Sequence, residues 1–265
     1  MVGPLIKREI KSNYKILIIF MAILTMYGSI ITSMFDPRLG EGMNALAESM
    51  PEFFAAFGMQ NPSTELIDFL VNYLYGFIFI MIPFIFTLIM CHRLVARYID
   101  RGSMAYFLNT HYNRTQIILN QAFILVKSIG ILILYATVMV IVCSEVMFGG
   151  KLDIEKFIVL NIGLLCLHLF LGSMCFMFAC IFNEIKYSIG IGAGLGLLFI
   201  LIQMMSQVSE DADFLKYFTP LTLFNPDGII AYETESLMYI VLLAVISIVF
   251  ISVGTVVFKK RDLPL

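Results

Sequence analysis

The stretch His92–Gln121 reads HRLVARYIDRGSMAYFLNTHYNRTQIILNQ and is a long polar break between two strongly apolar runs. Its core, residues 100–104 (DRGSM), interrupts a charged helical segment with a glycine, which favours a break in the helix. Residues 106–108 (YFL) supply the apolar face of a short amphipathic segment, and residues 109–114 lead back into the next apolar run. In a membrane protein, we expect such a stretch to contact a partner in the cytosol.

The composition identifies the solvent around most of the chain as lipid. Of the 265 residues, 60% are hydrophobic and 14% are charged, and the mean hydropathy is +0.93. A soluble domain is about 45–50% apolar and about 25% charged, so a single core cannot hide this excess. Only helices or closed barrels span a bilayer, and a spanning helix takes about 20 apolar residues. Because the apolar runs are continuous rather than alternating, the sequence predicts an all-α membrane protein.

Six apolar runs predict six transmembrane helices within one domain, residues 1–265. Residues 1–14, with Lys7, Arg8, Glu9 and Lys11, are typical of a basic amphipathic segment on a membrane surface. A cleaved signal peptide is the competing interpretation, but the first run is too long and has no small-residue cleavage site. The predicted spans cover about residues 14–35, 66–91, 117–147, 157–182, 187–207 and 237–258.

The distribution of lysine and arginine predicts the orientation. If six spans place both termini on one side, that side carries twelve of these residues and the other side carries four, with Lys127 inside the third run. Positively charged loops stay in the cytosol. We therefore expect both termini and residues 92–116 to lie on the cytosolic side of a bacterial plasma membrane.

The chain lacks the motifs of the common catalytic and metal-binding sites. There is no G-x-x-x-x-G-K-[ST] phosphate loop, no C-x-x-C pair among the five cysteines and no paired intramembrane carboxylate. A single histidine in the fourth run, His168, is expected to hydrogen-bond to a neighbouring helix rather than to bind a metal. We expect neither a metal site nor an enzymatic activity in this chain.

Two intramembrane features leave alternatives open. Gly190, Gly192, Gly194 and Gly196 form two overlapping G-x-x-x-G pairs, which favour close helix packing either within the chain or against a second copy. The side chain of Lys127 either snorkels to the headgroups or pairs with a substrate or another helix.

The order of parts resembles the permease subunit of ABC-2-type ABC transporters over nearly the whole length. In that family the first cytosolic loop reads like E-[RK]-G-T-L-E-x-L-L-x-x-P-[VI]-[ST]-R, and here residues 100–114 read DRGSMAYFLNTHYNR. The Arg-Gly pair, the apolar trio and the closing arginine match. Asp100 and Ala105 stand where the family has glutamate, and no proline lies near His111. The segment before the sixth run, residues 217–226 (YFTPLTLFNP), and the tail after Phe258 are also similar.

The resemblance implies a cytosolic elbow helix around Lys7–Lys15 and a cytosolic coupling helix between spans two and three. The residues that would couple to the ATPase are Arg97, Asp100, Arg101, Gly102, Ser103, Tyr106, Phe107, Leu108 and Arg114. The residues that would face the translocation path are Asn72, Tyr73, Tyr75, Phe79 and Gln203.

The resemblance also implies the partners. Two permeases, identical or paralogous, would pair with two separate cytosolic ABC ATPase subunits, which bind ATP and Mg²⁺, while this chain needs no cofactor and binds lipid but no nucleic acid. The expected function is export of an amphipathic or apolar cargo such as a peptide, an antibiotic or a lipid-like molecule. An ion-coupled secondary carrier, supported by the glycine tract alone, and a polytopic enzyme acting on lipids are the alternatives.

Overall fold

The computed structural model describes residues 3–35, 49–57, 65–100, 104, 112–208 and 210–260, and within these residues all regular structure is helical. Within these residues, six helical stretches are long and apolar enough to cross a membrane: Gly3–Ser33, Ile78–Asp100, Arg114–Phe148, Ile154–Ile181, Ile185–Ser206 and Thr234–Lys260. The elements are α1 (Gly3–Ser33), α2 (Pro51–Ala56), α3 (Leu66–Leu70), a π-helical turn (Val71–Tyr75), α4 (Ile78–Cys91), a second π-helical turn (His92–Ala96), α5 (Arg97–Asp100), α6 (Arg114–Phe148), α7 (Ile154–Ile181), α8 (Ile185–Ser206), two 3₁₀ segments (Glu210–Phe218 and Pro220–Leu223), α9 (Pro226–Ile230) and α10 (Thr234–Lys260).

Helix α7 is the centre of the bundle. It packs against α4, α6, α8 and α10, and apolar residues on all of its sides are buried. Small residues permit the closest approaches: a Cβ built on Gly254 would lie 3.2 Å from the Cα of Met177 on α7. By contrast, only 22–28% of the most apolar part of α1, α8 and α10 is buried. These three helices therefore form the periphery.

Side-chain contacts identify the two ends of the bundle. Arg93 contacts Asn13, and Asp100 contacts the first residue of α8, so the start of α1, residues 92–100 and the start of α8 lie together at what we call the basic end. At the opposite, acidic end, the ring of Phe35 contacts that of Phe148 at a centroid distance of 5.3 Å. The acidic end also carries residues 210–236.

The predicted elbow is part of the first span. Residues 7–15 are turns of α1, which runs without a break from Gly3 to Ser33, and no separate surface helix forms there. The reason is that this stretch has a buried face: Leu5, Glu9 and Asn13 recur at every fourth residue and are all buried. Contacts from residues 93 and 98 cover the polar members of this face.

The second span is more irregular than the sequence predicts. Phe77 separates the first π-helical turn from α4 with non-helical φ and ψ angles of −142° and −49°. Within α4, Pro83 has no N–H to donate to the carbonyl of Phe79, which is one turn earlier. Nε2 of His168 on α7 lies 2.7 Å from that carbonyl oxygen and, as the donor, satisfies it. The expectation that His168 hydrogen-bonds to a neighbouring helix is confirmed.

The two glycine pairs of α8 lie on different faces. A Cβ on Gly196 would overlap the ring of Phe84, and a Cβ on Gly192 would lie 3.3 Å from Sγ of Cys175. No described residue outside α8 comes within 4 Å of a Cβ on Gly190 or Gly194. Gly192 and Gly196 therefore pack within the chain, whereas Gly190 and Gly194 lie on an uncovered face.

Side-chain hydrogen bonds define the starts of α6 and α7. A capping box, in which the Asn113 N–H donates to Oε1 of Gln116 at 3.0 Å, starts α6 at Arg114. Asp153 accepts from the backbone N–H of Lys156 at 3.1 Å and starts α7.

Lys127 is exposed on the outer side of α6, which fits the snorkelling alternative.

A double-mutant cycle tests the pairing of His168 with the Phe79 carbonyl. His168→Leu should cost about 1–3 kcal/mol because it leaves a buried carbonyl without a donor. In a Pro83→Ala background, residue 83 supplies its own N–H, so the same change should cost at least about 1 kcal/mol less. Unfolding in mixed detergent micelles measures both costs, and equal costs in the two backgrounds would contradict the assignment.

The glycine faces are tested by a matched pair of variants. Gly196→Ala should lower the free energy of unfolding by about 1–3 kcal/mol, because the ring of Phe84 is fully buried and has little room to move. Gly194→Ala on the same helix meets open space and should leave stability unchanged or slightly higher. Thermal unfolding of the monomer in detergent compares them; an equal loss in both variants would refute this division of the faces.

Candidate functional site

The predicted coupling residues divide between described and undescribed parts of the chain. Arg97, Asp100 and Arg114 are described, and so is the buried Met104. Six of the predicted residues lie outside the described residues: Arg101, Gly102, Ser103, Tyr106, Phe107 and Leu108. The described part is therefore the frame on either side of the predicted coupling helix.

Asp100 caps a helix that is distant in sequence. Its Oδ1 accepts a hydrogen bond from the backbone N–H of Ile185, the first residue of α8, at 3.0 Å. The residue at the N-cap position, Glu184, makes no side-chain capping bond. A carboxylate at a helix N-terminus satisfies an unpaired N–H and interacts favourably with the helix dipole. Asp100 therefore fastens the start of the coupling stretch to α8.

Arg93 fastens the same stretch to α1. Its Nε donates to Oδ1 of Asn13 at 2.6 Å, and a terminal nitrogen donates to the carbonyl of Ser12 at 3.0 Å and to its hydroxyl at 3.3 Å. One guanidinium thus bridges two successive residues of α1 through its several N–H groups. Arg93 belongs to the second π-helical turn, a geometry that is frequent at functional sites.

Glu9 and Tyr98 make a second link between the same two segments. The Tyr98 hydroxyl donates to Oε1 of the fully buried Glu9 at 2.8 Å, and Nδ2 of Asn13 donates to Oε2 at 3.3 Å. The guanidinium of Arg97 lies over the Tyr98 ring at 5.2 Å, within the range of a cation–π interaction. A buried carboxylate is stable only when hydrogen bonds satisfy it, so this network fixes the position of α5 relative to α1.

Sequence reasoning missed this network. Glu9 and Asn13 belong to a stretch that composition alone identifies as a surface segment. The available signal was their spacing, since Leu5, Glu9 and Asn13 share one helix face. An acidic residue on that face, among the basic residues 7, 8 and 11, indicates a specific partner rather than a lipid surface.

The residues predicted to face the translocation path are in two places. Asn72, Tyr75 and Phe79 are buried within the bundle, and Tyr73 is half-buried against the ring of Phe69. Gln203, near the acidic end of α8, lines a cleft instead. The two groups meet through Phe224, whose ring lies 6.4 Å from that of Tyr75 and which also lines the cleft.

Hydroxyl groups hold the segment before α10 against α8. Thr219 donates to the carbonyl of Phe199 at 3.1 Å and accepts from the N–H of Leu221. The Thr222 hydroxyl lies 3.1 Å from Oε1 of Gln203 and 2.6 Å from the carbonyl of Lys216. The 3₁₀ segments therefore cover the acidic end of α8 instead of extending away from the bundle.

No group of three or more His, Cys, Asp or Glu side chains suited to a metal ion occurs among the described residues. The cysteines of the described residues form no disulfide. The polar contacts thus link separate segments of the chain, and a cleft lies at the acidic end.

Comparison with known proteins gives one match. The sequence model of a family described as a protein of unknown function, DUF2705, matches residues 42–264, which is most of the chain. No curated protein and no solved structure matches the chain. The chain therefore belongs to the DUF2705 family.

Proposed function

We propose that this protein is the membrane permease subunit of an ATP-driven transporter of the ABC-2 type. In this proposal, ATP and Mg²⁺ bind to a separate cytosolic ABC ATPase, and this chain exports an amphipathic or apolar cargo across a bacterial plasma membrane. The observation that carries the proposal is the double attachment of the stretch before residue 101, to α1 through Arg93 and to α8 through Asp100.

The charge distribution supports an ATPase at the basic end. Twelve of the 17 lysines and arginines belong to that end in a six-span arrangement, and positively charged ends face the cytosol. ATP is cytosolic, and the sequence has no phosphate-binding loop of its own. A separate ATPase docked on residues 97–114 meets both conditions.

The attachments suggest how such a partner would act. A force on residues 101–111 reaches α8 through the Asp100 cap and reaches α1 through Arg93 and Tyr98. Because α1 and α8 are both peripheral to α7, they can shift relative to the centre as units. Small shifts of whole helices are a common form of switching transition.

A second permease, identical or paralogous, completes the proposed transporter. The uncovered Gly190 and Gly194 form a small-residue pair on α8, and such pairs allow close helix association in lipid. The apolar residues beside them on the helix, Leu197, Leu198 and Leu201, are exposed as well. This face suits a second copy of the chain.

Variants of Asp100 test the coupling role. In a complex with the ATPase, Asp100→Leu removes the α8 cap, worth about 1 kcal/mol, and should reduce the stimulation of ATP hydrolysis by this chain about fivefold. Asp100→Asn keeps a capping oxygen and should retain the stimulation. The measurement is ATP hydrolysis by the reconstituted complex, relative to the ATPase alone.

The matched control is Asp153→Ala, which removes the equivalent cap of α7 at the opposite end of the bundle. It should destabilise the chain by a similar amount without reducing the stimulation. An equal loss of stimulation in Asp100→Leu and Asp153→Ala would indicate a general stability effect. Full stimulation in Asp100→Leu would contradict the coupling role.

A further inference from the structure

A cleft of about 970 Å³ lies at the acidic end, between the last turns of α8, residues 216–227 and the first turns of α10. Its volume is within the range of pockets that enclose a drug-sized ligand, about 300–1,000 Å³. Gln203 and Thr222 line it together with aromatic and charged side chains. The proposed coupling role leaves this cleft unexplained.

Negative charge dominates the lining of the cleft. Asp227, Glu233 and Glu235 contribute three carboxylates and Lys216 contributes one ammonium, so the formal charge of the lining is −3 + 1 = −2. Nζ of Lys216 lies 5.4 Å from the centre of the Tyr217 ring. The cleft therefore attracts cations and repels anions.

The carboxylates are crowded. The side chain of Asp227 is exposed on the surface, yet the protein atoms packed around its carboxyl raise the pKa of Asp227. The nearby carboxylates of Asp68 and Glu233 raise this pKa further, since like charges disfavour the ionised form. A cation bound between Asp227 and Glu233 would relieve this repulsion.

Neutral donors hold two of the carboxylates in place. The Ser236 hydroxyl donates to Oε2 of Glu233 at 3.3 Å, and the Tyr239 hydroxyl donates to Oε1 of Glu235. Hydroxyl donors orient the carboxylates without cancelling their charge. The charge therefore remains available to a ligand in the cleft.

The backbone turn before α10 fixes the position of Glu233. The N–H of Glu233 donates to the carbonyl of Gly228 at 2.9 Å, and the N–H of Tyr232 donates to that of Ile229 at 3.1 Å. These two bonds form a Schellman motif at the end of α9. Its left-handed position, at φ 54°, is occupied by Tyr232, where glycine is usual. The turn thus positions Glu233 at the cleft. Its left-handed conformation is costly for Tyr232.

Aromatic side chains form the remaining walls. Tyr217 and Phe218 are 82% and 66% exposed, and Phe199, Phe224 and Tyr239 also line the cleft. Aromatic faces attract cations and also bury apolar groups. Carboxylates beside aromatic rings match a molecule with a positive charge and an apolar body.

We infer that this cleft binds a small cationic amphiphile, meaning an amine- or onium-bearing molecule with an aromatic or aliphatic body. This inference rests on the proposed permease function, because it identifies the ligand of the cleft with the cargo and the acidic end with the face at which the cargo binds. Binding itself requires neither the ATPase nor ATP.

The probe for this site is tetraphenylphosphonium, with tetraphenylborate as an anion of nearly the same size and shape. The full chain is placed in nanodiscs of zwitterionic phosphatidylcholine, without nucleotide or ATPase, and binding is measured against empty nanodiscs. Saturable binding of tetraphenylphosphonium and no saturable binding of tetraphenylborate are expected. Equal saturable binding of both ions, or of neither, would overturn the inference.

Isosteric variants locate the site. Asp227→Asn and Glu233→Gln each remove one charge but keep a hydrogen-bond acceptor, and each should weaken tetraphenylphosphonium binding about three- to tenfold. Glu145→Gln is the control, because Glu145 is an exposed carboxylate at the same end and outside the cleft. Size-exclusion profiles verify folding of each variant.

Unchanged binding in both cleft variants, or an equal loss in Glu145→Gln, would overturn the inference. Because the assay contains no ATPase, its failure leaves the permease proposal standing. Conversely, saturable tetraphenylphosphonium binding by a chain that never associates with an ATPase would support the cleft and refute the permease.

Discussion

Polar backbone groups in an apolar bundle have to find partners within the protein, because lipid offers none. Inside the bundle a long-range contact from His168 meets this requirement, and at the basic end a second, exposed contact from Asp100 serves the start of a helix. His168 serves the carbonyl that Pro83 leaves without a donor, and Asp100 serves the first N–H of α8. Each contact joins helices distant in sequence, so satisfying the backbone also determines how the helices are arranged.

Other polar contacts join separate segments at the two ends of the bundle. At the basic end, Arg93 and Tyr98 attach the last turns of the second span to α1, while Asp100 attaches them to α8. At the acidic end, Thr219 and Thr222 attach the segment before α10 to α8. Helix α8 is therefore held at both ends by segments of other spans, with a glycine-lined contact to the centre between them. Such a helix is suited to transmit a change from one end of the bundle to the other.

Composition and run length predicted that the chain has six long apolar helices, because a bilayer dictates how many apolar residues a span needs. The rest depended on tertiary contacts. In the sequence Glu9 looks like a surface residue, and only the contact with Tyr98 shows that it is buried. The glycine repeat alone does not show which face packs within the chain, whereas the contact with Phe84 identifies the face of Gly196. The charge distribution predicted an acidic loop before α10. The cleft in this loop depends on the turn at Tyr232, and a tyrosine in the sequence does not indicate a left-handed backbone.

In the proposed transporter, residues 101–111 contact a cytosolic ATPase, and site-specific crosslinking in intact cells tests this contact most directly. A photo-crosslinking amino acid at Leu108 should capture a protein that carries an ATP-binding motif. The same amino acid at Val146, an exposed position near the acidic end of α6, should not capture it. Recovery of the ATPase from Leu108 alone is the predicted result. No ATPase at Leu108, or equal capture at Val146, would contradict the account.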